Sequence, residues 1–147
     1  MRDIFLVNYS VKGIKTLEKL VSLSFYKKII SKDFDTQEYN VKGIYGMNGS
    51  GKSAIVTSVD ILKNVLTTPG YLSSPLVQKN LDEIINKKLG ELYIEADFVS
   101  KFDDMLRYYR YTLTLSKNKI GKYIISYEKL SSKSGTSKTD TMETVFE

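Results

Sequence analysis

The sequence predicts an α/β fold with a mixed sheet, a helix that follows directly on a glycine-rich loop, and an antiparallel β-meander. Three observations lead to it. Residues 46–53 read Gly-Met-Asn-Gly-Ser-Gly-Lys-Ser, which fits G-x-x-x-x-G-K-[ST] at every fixed position. A short apolar segment with Val41, Ile44 and Tyr45 precedes that loop as a buried strand would, and Ala54, Ile55, Val59, Leu62 and Leu66 follow it at helical spacing. From Glu91 onward the apolar period changes from 3.6 to 2, the signature of strands with one wet face.

Taken in order, residues 3–9 read as an opening strand, and the end of 17–30, where Leu23 and Phe25 alternate with Ser22 and Ser24, as a second. Polar residues 31–40 read as the loop before the strand that feeds the glycine-rich turn. The helix starting at Gly51 should fade near Leu66, because Thr67-Thr68-Pro69-Gly70 combines β-branched residues with a helix breaker and a turn residue. Leu76, Val77, Leu81, Ile84 and Ile85 set a second helix over 76–88, with Gly90 as its C-terminal cap. Strands over 91–98, 107–116 and 123–130 then make the meander, and the Ser-, Thr- and Lys-rich tail 131–147 reads as a linker or the start of a further segment.

Composition narrows the chemistry. The 147 residues are 41% hydrophobic and 27% charged, the balance of a globular domain with a core of its own. The apolar stretch 4–7 is far too short for a signal peptide or a membrane span, so a cytoplasmic protein without a membrane partner is expected. Without cysteine or histidine the chain has no thiolate zinc site and no imidazole base, so any hydrolysis must draw on a carboxylate or on another segment. Net charge is +5, concentrated between Lys101 and Lys138, where nine Lys or Arg face three acids. Such a stretch is the footprint of a nucleic-acid surface or, more simply, the solvated face of a sheet.

The loop is an anion nest by construction. Glycines accept positive φ and let successive amides approach a polyphosphate, with the positive end of the next helix behind them. Lys52 would reach the β- and γ-phosphates as a point charge, and the Ser53 hydroxyl would hold Mg²⁺, a hard cation that prefers oxygen.

As written, the loop resembles the G-x-N-G-[SA]-G-K-[ST] form of ABC, SMC and RecF-like ATPases, with Asn48 just before the middle glycine. The order around it is similar too. Val7-Asn8-Tyr9 followed by Lys12-Gly13-Ile14 resembles the x-N-[FY]-[RK]-G-[IF] strand of that class, with Ser10-Val11 inserted. The resemblance implies the N-terminal lobe of a P-loop NTPase of the ABC/SMC/RecF-like and AAA/OLD-like kind over residues 1–130. It further implies ATP and Mg²⁺ as cofactors, with Asn48, Gly49, Ser50, Gly51, Lys52, Ser53 and Ala54 binding the phosphates, Lys52 serving catalysis and Ser53 the metal. ATP hydrolysis would need the missing C-terminal lobe of the same protein, because no four apolar residues ending in Asp-Glu occur here. A head-to-head homodimer acting on DNA, in repair or phage defence, is the expected assembly.

Several look-alikes are set aside. Asp82-Glu83 lies in a helical pattern, Glu95 on the wet face of a strand, and Leu130-Ser131-Ser132-Lys133-Ser134-Gly135 lacks the paired glycines of an ATPase signature. Tyr26, Asn8 and Lys12 are weak adenine or ribose contacts. Two other functions compete. A self-contained kinase or GTPase would want an aspartate where Leu89 completes Asn86-Lys87-Lys88. A nucleic-acid module with a vestigial loop would use Arg107, Arg110, Lys117, Lys119 and Lys122 interleaved with Tyr108, Tyr109, Tyr111 and Tyr123.

Overall fold

The computed structural model describes residues 3–25, 42–46, 51–103, 105–134 and 141–147. Among them run β1 (Asp3–Lys12), β2 (Val21–Ser24), α1 (Lys52–Thr67), a 3-10 turn (Tyr71–Ser73), α2 (Pro75–Ile84), β3 (Glu91–Phe102), β4 (Met105–Lys117), β5 (Tyr123–Ser134) and β6 (Glu143–Phe146). The strands form one sheet in the order β2-β1-β3-β4-β5-β6. Every neighbouring pair is antiparallel.

This corrects the predicted α/β P-loop lobe with a mixed sheet. Among the described residues no strand pairs in parallel, and the meander is not a subdomain beside a nucleotide-binding sheet but the middle of the only sheet. Nor, among the described residues, does a strand lead into the glycine-rich loop. Residues 42–46 carry no strand pairing, and Tyr45 is 95% exposed, whereas Ile44 rests against the core. The period-2 pattern after Glu91 supports pairing on both sides, whereas Ile44 and Tyr45 have no partner strand among the described residues. Val41 lies outside the described residues.

One face of the sheet carries the main core. Tyr9, Val11, Leu92, Ile94, Leu113, Leu115 and Tyr123 meet Ala54, Ile55 and Ile61 of α1 and Leu81 of α2, with Ile85 just beyond. Each large apolar side chain fully buried there stabilises the fold by about 1.5–3 kcal/mol. A register shift between Leu6 and Asn8 sends Val7 to the other side from Tyr9, because one extra residue inverts the alternation. Val7 then joins Val99 and Leu106 in a smaller cluster with Phe5 and Tyr108.

Helix α1 is rich in Ile, Val and Thr, which are mediocre helix formers, so its stability comes from the buried face formed by Ala54, Ile55, Ser58 and Ile61. Its other side shows Val56, Val59 and Leu66 to solvent. The helix over 76–88 stops earlier than its periodicity indicates. Ile85 turns to an extended conformation and bridges to Ile14, while the Asn86 side chain accepts from the amides of Lys88 and Leu89. Gly90, at φ +66, therefore closes the Asn86 turn rather than the helix. β5 continues through Ser131–Ser134, past residue 130, and β6 brings part of the tail back onto the sheet edge.

Candidate functional site

The start of α1 is built around one glycine. Gly51 has φ +95, and a Cβ there would lie 2.6 Å from the Leu17 side chain, so the backbone conformation and the packing both call for a residue without one. Its carbonyl accepts from the amides of Ala54 and Ile55 as the first turn winds up. No side chain caps the helix at this end. The positive pole of the helix thus sits just beyond the loop.

Lys52 donates from Nζ to the carbonyl of Gly46, which draws the two ends of the loop together. Ser53 is exposed, and its Oγ accepts from Lys15 Nζ at 3.3 Å. The same ammonium lies 3.5 Å from Thr57 Oγ1, which itself donates to the Ser53 carbonyl at 2.7 Å. Ala54 is fully buried in the core, so it fixes the helix rather than presenting a side chain to a ligand. Asn48, Gly49 and Ser50 lie outside the described residues.

The Lys15 ammonium and the Ser53 hydroxyl thus meet at the first turn of α1, whose N-terminal end carries partial positive charge. Among the described residues no group of three or more acidic side chains is placed to hold a metal ion.

Lys15 is the residue that sequence reading missed. It lies thirty-eight positions before Ser53 and belongs to no motif. Only the fold of the β1–β2 connection delivers it.

Other residues singled out by sequence have different partners. Asn8 bonds to Ser10 and Ser24 within the sheet, and Lys12 pairs with Glu91 over the Tyr93 ring. Tyr26 lies outside the described residues. Asp82 is paired with Lys117 and Lys87, which holds its carboxyl below the usual range. Asn86, where a guanine reader would begin, spends its amide on the Lys15 carbonyl at 2.8 Å.

Within the basic meander, Arg110 is engaged by acids of the neighbouring strand β3. Arg110 clasps the buried Asp97 with Nε and Nη2 at 2.8 and 2.9 Å and lies 3.5 Å from Glu95, while Tyr108 donates to the same Asp97. The Asp97 bond and burial have opposite effects on Arg110, and the bond wins, raising its pKa. Burial first, then Asp97, raises that of the Tyr108 phenol. Tyr111 and Tyr123 belong to the core. Far from Lys52, at the C-terminal end of α1, a shallow groove of about 310 Å³ is lined by Leu66, Thr68, Gly70, Leu72 and Ile125. It carries no charged group.

Among the described residues, no helix is long and apolar enough to cross a membrane. Comparison with protein-family models gives no match to this chain, and comparison with curated proteins gives none either.

Proposed function

We propose that the chain binds ATP through residues 46–54, with Lys52 on the β- and γ-phosphates and Mg²⁺ at Ser53. The observation that carries this reading is the entry of a G-x-x-x-x-G-K-[ST] sequence into α1 through a left-handed Gly51, with the Lys15 ammonium beside Ser53 and Lys52 closing the loop. Mg²⁺, when bound, would supply charge neutralisation between the phosphates.

The loop sequence, rather than the sheet, supports a likeness to ABC, SMC and RecF-like ATPases. On that reading hydrolysis waits for a further lobe and a second head, which would bring the carboxylate that polarises water. The exposed apolar stripe of Val56, Val59 and Leu66 on α1 offers such a lobe a surface. Action on DNA belongs to the complete assembly.

Calorimetric titration of the chain with Mg-ATP tests the core of this. Binding should be present in the wild type and at least tenfold weaker in Lys52→Ala, with inorganic triphosphate competing. Equal heats from the two proteins, or no binding to either, would end the nucleotide reading.

A further inference from the structure

We infer that the outer edge of β5 from Ile124 to Glu128 is a docking site for an extended peptide segment of a partner protein. The segment adds to the sheet antiparallel to β5, apolar on the side facing α1 and acidic where it reaches the β4–β5 turn. This surface lies apart from Gly51, Lys52 and Ser53, and the inference does not depend on the nucleotide reading.

The edge is open only in its middle. At one end β6 pairs with Leu130, Ser131 and Ser132, and Glu147 meets Lys129 Nζ at 2.7 Å. At the other end the Gln78 side chain of α2 does the work of a one-residue strand. Its Oε1 accepts from the Tyr123 amide at 2.8 Å, and its Nε2 donates to the Tyr123 carbonyl at 2.9 Å. Tyr123 therefore turns both backbone groups outward, whereas Lys122 turns its carbonyl inward to the Asn118 amide at 2.8 Å. Alternation along the strand then points the amide and carbonyl of Ile125 outward too, and among the described residues no strand lies there to receive them. Residues 124–127 are all exposed. The stretch 124–128 offers about 17 Å of strand edge.

The surroundings say what fits. Ile125 lines the uncharged groove with Leu66 and Leu72, so alternate side chains of an added strand would lie on an apolar surface. Beyond Tyr123 the turn carries Lys119 and Lys122, both exposed. Asp82 and Glu147 engage Lys117 and Lys129, but no acid pairs with Lys119 or Lys122 among the described residues. An acidic C-terminal end of the antiparallel segment would meet them.

A second copy of this chain fits worse. Two β5 edges paired about Ser126 would set the hairpin turn of each copy against Leu130–Ser132 of the other, where β6 already sits. The same pairing would bring Lys119 and Lys122 toward Lys129 and Lys133, like charges across strands. The extra residue at Ser126, between the partners of Thr114 and Leu115, also bends the edge, which suits a short segment rather than a long flat strand.

The test is selection of a displayed library of random octapeptides on the full chain, followed by titration of the most enriched peptide. Enriched sequences should alternate apolar residues and carry Asp or Glu near the C-terminal end. The chosen peptide should slow hydrogen exchange of the Ile125 amide by about tenfold or more. Ile125→Pro deletes that outward amide without touching the ladder to β4, and should weaken binding about tenfold with a near-unchanged melting temperature. Lys119→Glu combined with Lys122→Glu should weaken it about fivefold, and more at low salt. No enrichment, enriched peptides without this pattern, or an Ile125 amide that exchanges equally fast with and without peptide overturns the inference. The exchange measurement uses the wild type alone, so it decides even where proline perturbs the fold. A wild-type dimer that Ile125→Pro converts to monomer in sedimentation also overturns it, because a second copy then holds the edge.

Discussion

Tyr9 donates its phenolic proton to Ser58 Oγ, 2.8 Å away and forty-nine residues further along the chain, and this buried bond ties strand β1 to helix α1. The direction follows from proton count. Ser58 has one hydroxyl hydrogen, and it goes to the Ile55 carbonyl at 2.6 Å, so the phenol must be the donor. The two ends of the bond are therefore unequal. Tyr9→Phe removes a donor and leaves only an acceptor with a spare lone pair, a loss of about 1 kcal/mol, whereas Ser58→Ala strands a buried O–H at a cost of about 2 kcal/mol. The double variant should be more stable than Ser58→Ala alone, since neither polar group then remains. Urea midpoints of the four proteins check the order, and Tyr9→Phe proving the worse single change would refute the assigned direction.

Alkaline pH should act through the same phenol. Burial pushes the Tyr9 pKa up to about 12, with the Ser58 bond pulling modestly the other way. In the unfolded chain a tyrosine titrates near 10. The folded value is the higher one, so its contribution is fully present below pH 10 and is lost as pH rises from about 10 to about 12. Tyr93, raised to about 12 by burial and then by Glu95, adds to the same decline. Stability measured at stepwise pH should fall above pH 10, and less steeply in Tyr9→Phe. A parallel decline in the two proteins would show that the phenol is not responsible.

The Asp97–Arg110 pair should matter out of proportion to its place on a sheet. Asp97 is 2% exposed and has its carboxylate satisfied by Arg110 and Tyr108. Arg110→Met leaves a buried charge with the phenol as its remaining partner, at a cost of about 3 kcal/mol. Asp97→Asn combined with Arg110→Met should recover much of that. Thermal melts of the single and paired variants give the coupling, and additive losses would argue that the two residues act separately.

Gly13 admits no other residue. Its φ of +85 and the Glu91 carbonyl 1.9 Å from any added Cβ mean that Gly13→Ala must displace β1 from β3. A loss of at least about 3 kcal/mol is expected. Gly70→Ala is the control, because it has a similar φ of +71 but nothing within 4 Å, and should cost about 1 kcal/mol. Similar urea midpoints for the two variants would mean that the contact with Glu91 yields easily.

What could be read from the sequence divides along physical lines. The period-2 runs from Leu92 to Leu130 announced three strands, because alternation over that length has no other stable use, and the stop at Pro69-Gly70 marked the end of α1 within a residue or two. The sheet as a whole was misjudged. A glycine-rich loop between apolar segments is most often met between parallel strands, but strand pairing is decided by distant partners, and here β1 lies beside β3. The early end of α2 was hidden for a related reason, since the contact between Ile85 and Ile14 joins residues far apart in the chain. At the candidate site the run Gly51-Lys52-Ser53 is a local sequence pattern, and the structure adds that Gly51 takes a left-handed conformation at the start of α1. Lys15 was not legible, because no local pattern links a turn after β1 to the first turn of α1.

The pairing of β1 with β3, from Asp3 beside Lys101 to Lys12 beside Tyr93, has a consequence for how the protein is made. On the ribosome the first strand leaves the tunnel long before its central neighbour has been translated, and until then it can zip only to the short β2. A nascent chain interrupted near Gly90 would show the bare inner side of that hairpin together with the apolar flank of α1. Such a stub is a natural client for a chaperone, and pausing during translation before β3 emerges would lower the yield of native protein even with the sequence unchanged.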